Sequence, residues 1–272
     1  VSEIQQLEKT LSVTKADSEI SKVNAAGGKK VTVSKETYDL LSACIQYGND
    51  TEGLFDISIY PLVKLWGFTT EKYRVPDKAE RDAVIKKIDY KKIELLPNCQ
   101  VQIPSGMAID LGAAAKGYLS QKIIDLCKEK KVASCILSLG GNVQTIGMKP
   151  DDTEYTVGIT DPSDGSSIYG TVKVKDKAVI TSGIYQRNFK KNGKLYHHIM
   201  DKRTGMPADN NLASVTVIAE NGAMADAYAT ALSVMGEEKA IAFQKKHPQI
   251  QIILIRKDGT FYQSEKAGMI KS

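Results

Sequence analysis

Several familiar binding signatures are missing from this chain. The order G-x-x-x-x-G-K-[ST] of a P-loop is absent, and so is the G-x-G-x-x-G of a Rossmann dinucleotide site. The four cysteines, Cys44, Cys99, Cys127 and Cys135, form no CxxC pair. The three histidines, His197, His198 and His247, are not spaced with them as zinc ligands. Cys44, Cys127 and Cys135 lie among apolar neighbours, which predicts buried thiols. No apolar run is long enough to span a bilayer. A net charge of +5 carries no block of Lys or Arg, so binding to nucleic acid has no support. Internal repeats and low-complexity linkers are lacking as well.

What is present reads as an ordinary globular protein. Its 272 residues are 42% hydrophobic and 25% charged, enough to bury a sizeable core. The length predicts one domain over 1–272, or two intimately packed lobes. Ile4, Leu7 and Leu11 follow helical spacing. Asp17 or Ser18 is placed to cap a following helical stretch, and Ser34 to cap another through Ile45 or Tyr47. LFDISIY alternates strictly, which predicts a half-buried strand with Phe55, Ile57 and Ile59 on one face. Pro61 opens a short helical turn, and Asp77 with Glu80 has capping-box spacing for a helix to about Lys87. IELL and VQI predict a hairpin around Pro97-Asn98. Ala108 to Asp110 reads as a strand feeding a helix that begins near Gly112. From SCILSL to LASVTVIA the chain is mostly strands, with tight turns at Lys175-Asp176 and Asn192-Gly193. A helix from about Ala223 to Met235, a second one from Glu237 to Lys246 and a closing hairpin complete the pattern. Hairpin-joined strands with inserted helices predict an α+β fold with mixed or antiparallel sheets.

Most residues with chemical potential fall between Thr181 and Gly236. On the Ala-rich helix, Asp226 and Thr230 are i and i+4, so both oxygens leave one face. A carboxylate and a hydroxyl so placed suit a hard cation such as Mg²⁺; a back-bonded threonine is the plainer alternative. Upstream, Asp110-Leu111-Gly112-Ala113-Ala114-Ala115-Lys116-Gly117 puts small residues and Lys116 at a helix start, where backbone N–H groups can approach an anion. Asp110 can accept hydrogen bonds from a base or ribose, or cap the helix. Gly141, in the Ser138–Asn142 bend, and Thr181, Ser182 and Gly183 end two further strands. His197 and His198 close a strand on opposite faces, so one of them can serve a site as proton acceptor. Asp201 and Arg203 can simply pair across the turn that follows.

Taken together, TSG with the nearby Tyr185, Arg187 and Phe189, then HHIMDKRTGMP and ADAYATAL, preceded by DLGAAAKGY and SLGGN, resemble the ApbE family of FAD:protein FMN transferases. SEISKVN and GLFDISIYPLVKLWGF add to the likeness, which runs from about Leu11 to Gly236. The resemblance implies an ApbE-like, T-fold-related architecture and a specific reaction. FAD and Mg²⁺ bind, and a threonine hydroxyl of an acceptor protein attacks the FMN phosphorus. AMP leaves, and FMN stays attached through a phosphoester. By motif position the resemblance implies Asp226, Thr230 and the Ala113 carbonyl as Mg²⁺ ligands and His198 as the base. Asp110, Lys116, Gly141, Thr181, Ser182 and Gly183 become FAD contacts. It also implies an extracytoplasmic protein, often a lipoprotein, and Val1 in place of a start methionine allows for membrane anchoring through a removed N-terminus. Thr14 stands where the family often has a flavin-stacking tyrosine, which weakens the expected hold on FAD. Two other readings share the site: an FAD pyrophosphatase giving FMN and AMP, and a flavin-binding protein without turnover.

Overall fold

The computed structural model describes residues 9–272 and is α+β. Its backbone divides into two compact units, residues up to 115 with 200–207, and residues 116–199 with 208–272. Residues 9–11 are helical; Ile4 and Leu7 lie outside the described residues.

The first unit is organised by side-chain caps. Ser18 accepts from the Ser21 N–H to start α1 (Glu19–Ala25). The strand β1 (Val31–Thr32) leads to Ser34, which accepts from Thr37 N–H at the start of α2 (Lys35–Asp50). Helix α3 (Tyr60–Leu65) carries Pro61 in its first turn, where a missing N–H costs nothing. The Asp77–Glu80 capping box starts α4 (Lys78–Ile85). β2 (Glu94–Leu96) and β3 (Gln100–Gln102) form the expected hairpin, and β1 adds to β3. Asn98 and Cys99 make the turn with positive φ.

Two local expectations fail here for identifiable reasons. LFDISIY is no strand; Ile57–Ile59 is a 3₁₀ turn. Asp56 accepts from the Ser58 N–H (2.9 Å) and O–H (2.6 Å), which closes the backbone into a turn. Asp56 and Ser58 are both buried, not solvent-facing. The Ala108–Asp110 segment pairs with no strand, and the helix after it begins at Ala115, because 112–114 form a turn. Asn24 nevertheless holds that segment like a strand partner, accepting from the Ile109 N–H (2.7 Å) and donating to the Ile109 carbonyl (2.9 Å). The Asp110 N–H donates to the Ile57 carbonyl at 2.8 Å.

The second unit begins within α5 (Ala115–Glu129). β4 (Cys135–Leu139) and β5 (Asn142–Ile146) follow as a hairpin, then β6 (Tyr155–Thr160), β7 (Ile168–Val174) and β8 (Ala178–Gly183). β9 (Asn188–Lys191) and β10 (Lys194–His197) pair around Asn192-Gly193, as expected. The chain then enters the first unit for β11 (Met200–Asp201) and β12 (Met206–Pro207). It returns for β13 (Leu212–Ala219), α6 (Gly222–Met235), α7 (Glu237–Lys246), β14 (Gln251–Arg256), β15 (Phe261–Gln263) and β16 (Ile270–Lys271).

Strands β15-β14-β13-β8-β5-β4 form an antiparallel six-stranded sheet, and β16-β7-β6 a smaller one. Lys175-Asp176 is therefore not a hairpin turn; it carries the chain from one sheet to the other. The Asp176 carboxylate accepts the Gly147 N–H at 2.8 Å, which fixes that crossing. Val157, Ile159, Val172, Val179, Ile218, Ile253 and Ile255 fill the core between the sheets. Helix α6 covers the other face, packing on β8 and β13. With both faces covered, every residue of β13 is buried, so that strand reads as an apolar run without alternation. Among the described residues no helix is long and apolar enough to cross a membrane. All four cysteines are free, and only Cys44 is buried; Cys127 and Cys135 are half-exposed, against expectation. Their apolar neighbours sit on a helix end and an edge strand, which cover one side only.

Candidate active site

The site of the second unit is built where α5 and α6 approach each other. Asn221 accepts from the Met224 N–H and starts α6, whose residues 223, 225, 227, 229 and 231 are all buried alanines. A Cβ on Gly117 of α5 would lie 2.2 Å from the Gly222 carbonyl oxygen and 2.7 Å from Asp226 Cβ. Only glycine permits this approach, and it brings the Gly117 N–H to Asp226 Oδ2 at 2.9 Å. Asp226 thus occupies the N-terminal turn of α5, where the free N–H groups and helix dipole favour a carboxylate. Around this crossing, the Gly222 N–H donates to Gln121 Oε1 at 2.8 Å. With its amide turned so that the nitrogen faces the Ser120 carbonyl and the oxygen the Gly222 N–H, Gln144 bridges the two, each at 3.1 Å.

Asp226 is 5% exposed, and its pKa is pushed up to about 6. Desolvation is the main cause, opposed by the Lys116 charge and the Gly117 hydrogen bond. Beside it the Asn142 side chain is 1% exposed, and its amide nitrogen lacks a well-formed hydrogen bond. One turn on, Thr230 Oγ1 lies 3.3 Å from the Asp226 carbonyl and 3.3 Å from Ser182 Oγ. The threonine is therefore back-bonded and still faces β8.

Thr181 and Ser182 part company. Ser182 turns to α6, whereas Thr181 projects from the other face of the sheet and pairs with Thr216 at 2.7 Å. Gly183 is buried, and a Cβ there would meet the Tyr185 ring at 2.2 Å. Gly140 and Gly141, with φ of 55° and 91°, form the two-residue turn between β4 and β5. No atom lies within 4 Å of a Cβ built on Gly141, so its glycine answers to the turn, not to a neighbour.

Of the two histidines, His197 is buried, with Nε2 on the Ala208 carbonyl at 3.1 Å. His198 is half-buried, and both its N–H (3.1 Å) and its Nδ1 (3.2 Å) meet the Arg187 carbonyl. A carbonyl only accepts, so Nδ1 carries the proton and Nε2 is the basic nitrogen. Its pKa is lowered to about 4, first by desolvation, with Arg187, His197 and Lys116 adding repulsion. The exposed Lys116 charge is thus felt by both Asp226 and His198.

Asp110 and Ala113 belong to the first unit. Asp110 Oδ1 accepts the Gly112 N–H at 2.8 Å, and its charge helps raise the Tyr60 pKa after desolvation. Asp201 and Arg203 pair through two hydrogen-bonding nitrogens, so that cluster is structural. Gly222 and Gln144 escaped the sequence reading, and Gly117 and Asn142 entered it only as parts of the Asp110–Gly117 and Ser138–Asn142 loops, without roles of their own. The visible signal was Gly117, a glycine inside a helix where alanine is better by about 1 kcal/mol.

Comparison with known proteins agrees with this architecture. The ApbE family model matches residues 1–254. The chain is 35% identical over 259 residues to the FAD:protein FMN transferase of Klebsiella pneumoniae (strain 342), covering 94% of this chain and 80% of that protein. It is 35% identical over 272 residues to the protein of the same name from Treponema pallidum (strain Nichols), covering 94% and 75%. The crystal structure of the ApbE protein from Thermotoga maritima superposes with a TM-score of 0.91 at 32% identity, covering 97% of this chain and 87% of that one. With the match spanning nearly its whole length, the chain belongs to the ApbE family.

Proposed function

We propose that this protein transfers the FMN moiety of FAD to a threonine hydroxyl of an acceptor protein, in a Mg²⁺-dependent reaction that releases AMP. Its relatives carry the name FAD:protein FMN transferase. The observation that carries the reading is the buried Asp226 carboxylate, which has one well-formed hydrogen bond, from Gly117, and only a half-made contact to the Asn142 amide beside it.

That donor set fits Mg²⁺. One carboxylate and one hydroxyl on a single helix face, with Ser182 opposite, leave positions for water and phosphate oxygens, as this ion prefers. No cluster of three His, Cys, Asp or Glu exists among the described residues, which argues against a zinc-type site. Asp226 and Thr230 would hold the ion. Mg²⁺ bound there would neutralise charge on the pyrophosphate and on the departing AMP phosphate.

The chain's own groups perform the rest. Lys116 adds a positive charge for the phosphates at the start of α5. His198 stays neutral, with its Nδ1 proton fixed on the Arg187 carbonyl, so Nε2 can take the acceptor hydroxyl proton. Pyrophosphate bound nearby raises the His198 pKa and makes that transfer easier. The threonine oxygen forms a bond to the FMN phosphorus as the bond to the AMP oxygen breaks.

The test combines purified protein, FAD, Mg²⁺ and a threonine-containing acceptor fragment. Intact-mass spectrometry should find the acceptor heavier by one FMN moiety, and chelation should abolish the gain. Free FMN and AMP with an unmodified acceptor would support the pyrophosphatase reading instead. Intact FAD after incubation would leave only a flavin-binding protein.

A further inference from the structure

The six-stranded sheet ends at β4, and nothing pairs with its outer side among the described residues. The two-residue turn makes Leu139 and Asn142 a hydrogen-bonded pair, so Leu137 and Cys135 also bond inward to β5. By the same alternation, the N–H and C=O groups of Ile136 and Ser138 point outward from the edge. Both residues are exposed, and the Ile136 side chain is 49% exposed. The strand CILSL carries none of the usual edge protection: no Lys, no Pro and no bulge.

The registers place this edge relative to the site. Val143 pairs with Val179, which sets Asn142 level with Ile180 of β8. Leu139 pairs with Asn142, so the C-terminal ends of β4 and β8 lie at the same end of the sheet. That end carries Asn142 and Ser182, beneath Asp226 and Thr230. A polypeptide laid along β4 therefore leaves the sheet at the end that carries Asn142 and Ser182.

Resting on the transferase reading, we propose that β4 is the docking edge for the acceptor, which adds an extended segment as a further strand. The occupant must be polypeptide, because the acceptor is a protein, and an unpaired strand edge recognises backbone with little demand on sequence. The added strand would lie three strand spacings, about 14 Å, from β8. Extended chain covers that in about four or five residues, so the modified threonine should follow or precede the paired segment by that distance.

The test uses a library of short synthetic peptides, each with one threonine in randomised flanks, incubated with wild-type protein, FAD and Mg²⁺. N-methylation is then walked along the backbone of a labelled peptide. The expected result is a loss of kcat/KM at every second position of the segment, roughly tenfold each, as one or two backbone hydrogen bonds are worth. Ile136→Pro and Ile136→Lys should raise the peptide KM roughly tenfold while FAD cleavage in the absence of peptide is unchanged. A flat N-methyl scan, or wild-type KM in both variants, would overturn the proposal. So would a change from dimer to monomer in the variants by sedimentation, which would make β4 an interface between copies. Labelling of an intact acceptor protein with no peptide labelled would overturn recognition of an extended segment while leaving the transfer reading standing. No labelling of either by wild-type protein would bring down both.

Discussion

Three aspartates are buried among the described residues, and two of them, Asp56 in the first unit and Asp226 in the second, have surroundings that could hardly differ more. Asp56 accepts from the Ser58 N–H and O–H and from the Tyr90 N–H, and it pairs with Lys202 Nζ at 2.6 Å. Its side chain is 1% exposed, and Lys202 also lies over the Tyr90 ring at 5.4 Å. Asp226 has the Gly117 N–H, a half-made contact to Asn142 and no ion pair within reach. The first carboxylate is satisfied by the fold and holds it together. The second is left with unused acceptor capacity in a desolvated place, the pattern on which the proposed ligand site rests. Burial of a charge therefore marks function only when its partners are counted.

The sharpest way to break the comparison is to neutralise each aspartate in turn. Asp226→Asn should lower FMN transfer by about a thousandfold or more, as loss of a metal ligand does, while the protein stays folded. Mg²⁺ titration and circular dichroism check the two halves. His198→Ala should cost about 10²- to 10⁴-fold in kcat, with Mg²⁺ affinity unchanged. Asp56→Ala should do the reverse: a loss on the order of 3 kcal/mol in urea unfolding, from a stranded Lys202, with near-normal activity per folded molecule.

A pH series separates the two more finely. In the metal-free protein Asp226 holds its proton up to about pH 6, whereas an unfolded aspartate releases it near 3.8. Between these values the native state binds more protons, so stability falls as pH rises. The effect should be on the order of 3 kcal/mol and complete above pH 6. Denaturation of Asp226→Asn across this window should lack that component, making the variant the more stable of the two at pH 7. If both proteins respond alike, Asp226 is better solvated than its burial indicates. The smallest effect should come from Ser182→Ala, a few-fold loss in Mg²⁺ affinity measured by calorimetry.

The local signals in the sequence were dependable. Ser18, Ser34 and the Asp77–Glu80 pair each cap a helix because capping needs only three neighbouring residues. Asp226 and Thr230 were legible for the same reason, since helical spacing alone brings them together. LFDISIY misled because Asp56 closes a turn with its own side chain and finds Lys202 far along the chain, which no local period reports. Lys175-Asp176 looked like a hairpin because turn chemistry does not say which sheet the next strand joins. Gly117 and Gly222 were opaque for the opposite reason: their value lies in atoms that are missing, and it appears only when two helices are placed together.

The eight residues 200–207 belong to the first unit, although the 84 residues 116–199 separate them from the rest of it. Lys202 is tied to Asp56 across 146 positions, and the Gly205 carbonyl to the Trp66 indole N–H across 139. As the chain leaves the ribosome, the N-terminal portion therefore cannot finish when residue 115 emerges. At translation speeds of 5–20 residues per second it waits roughly 5 to 20 seconds for its last piece. During that interval Asp56 lacks Lys202 and the Trp66 indole lacks the Gly205 carbonyl, the state in which a nascent chain most needs shielding from its neighbours.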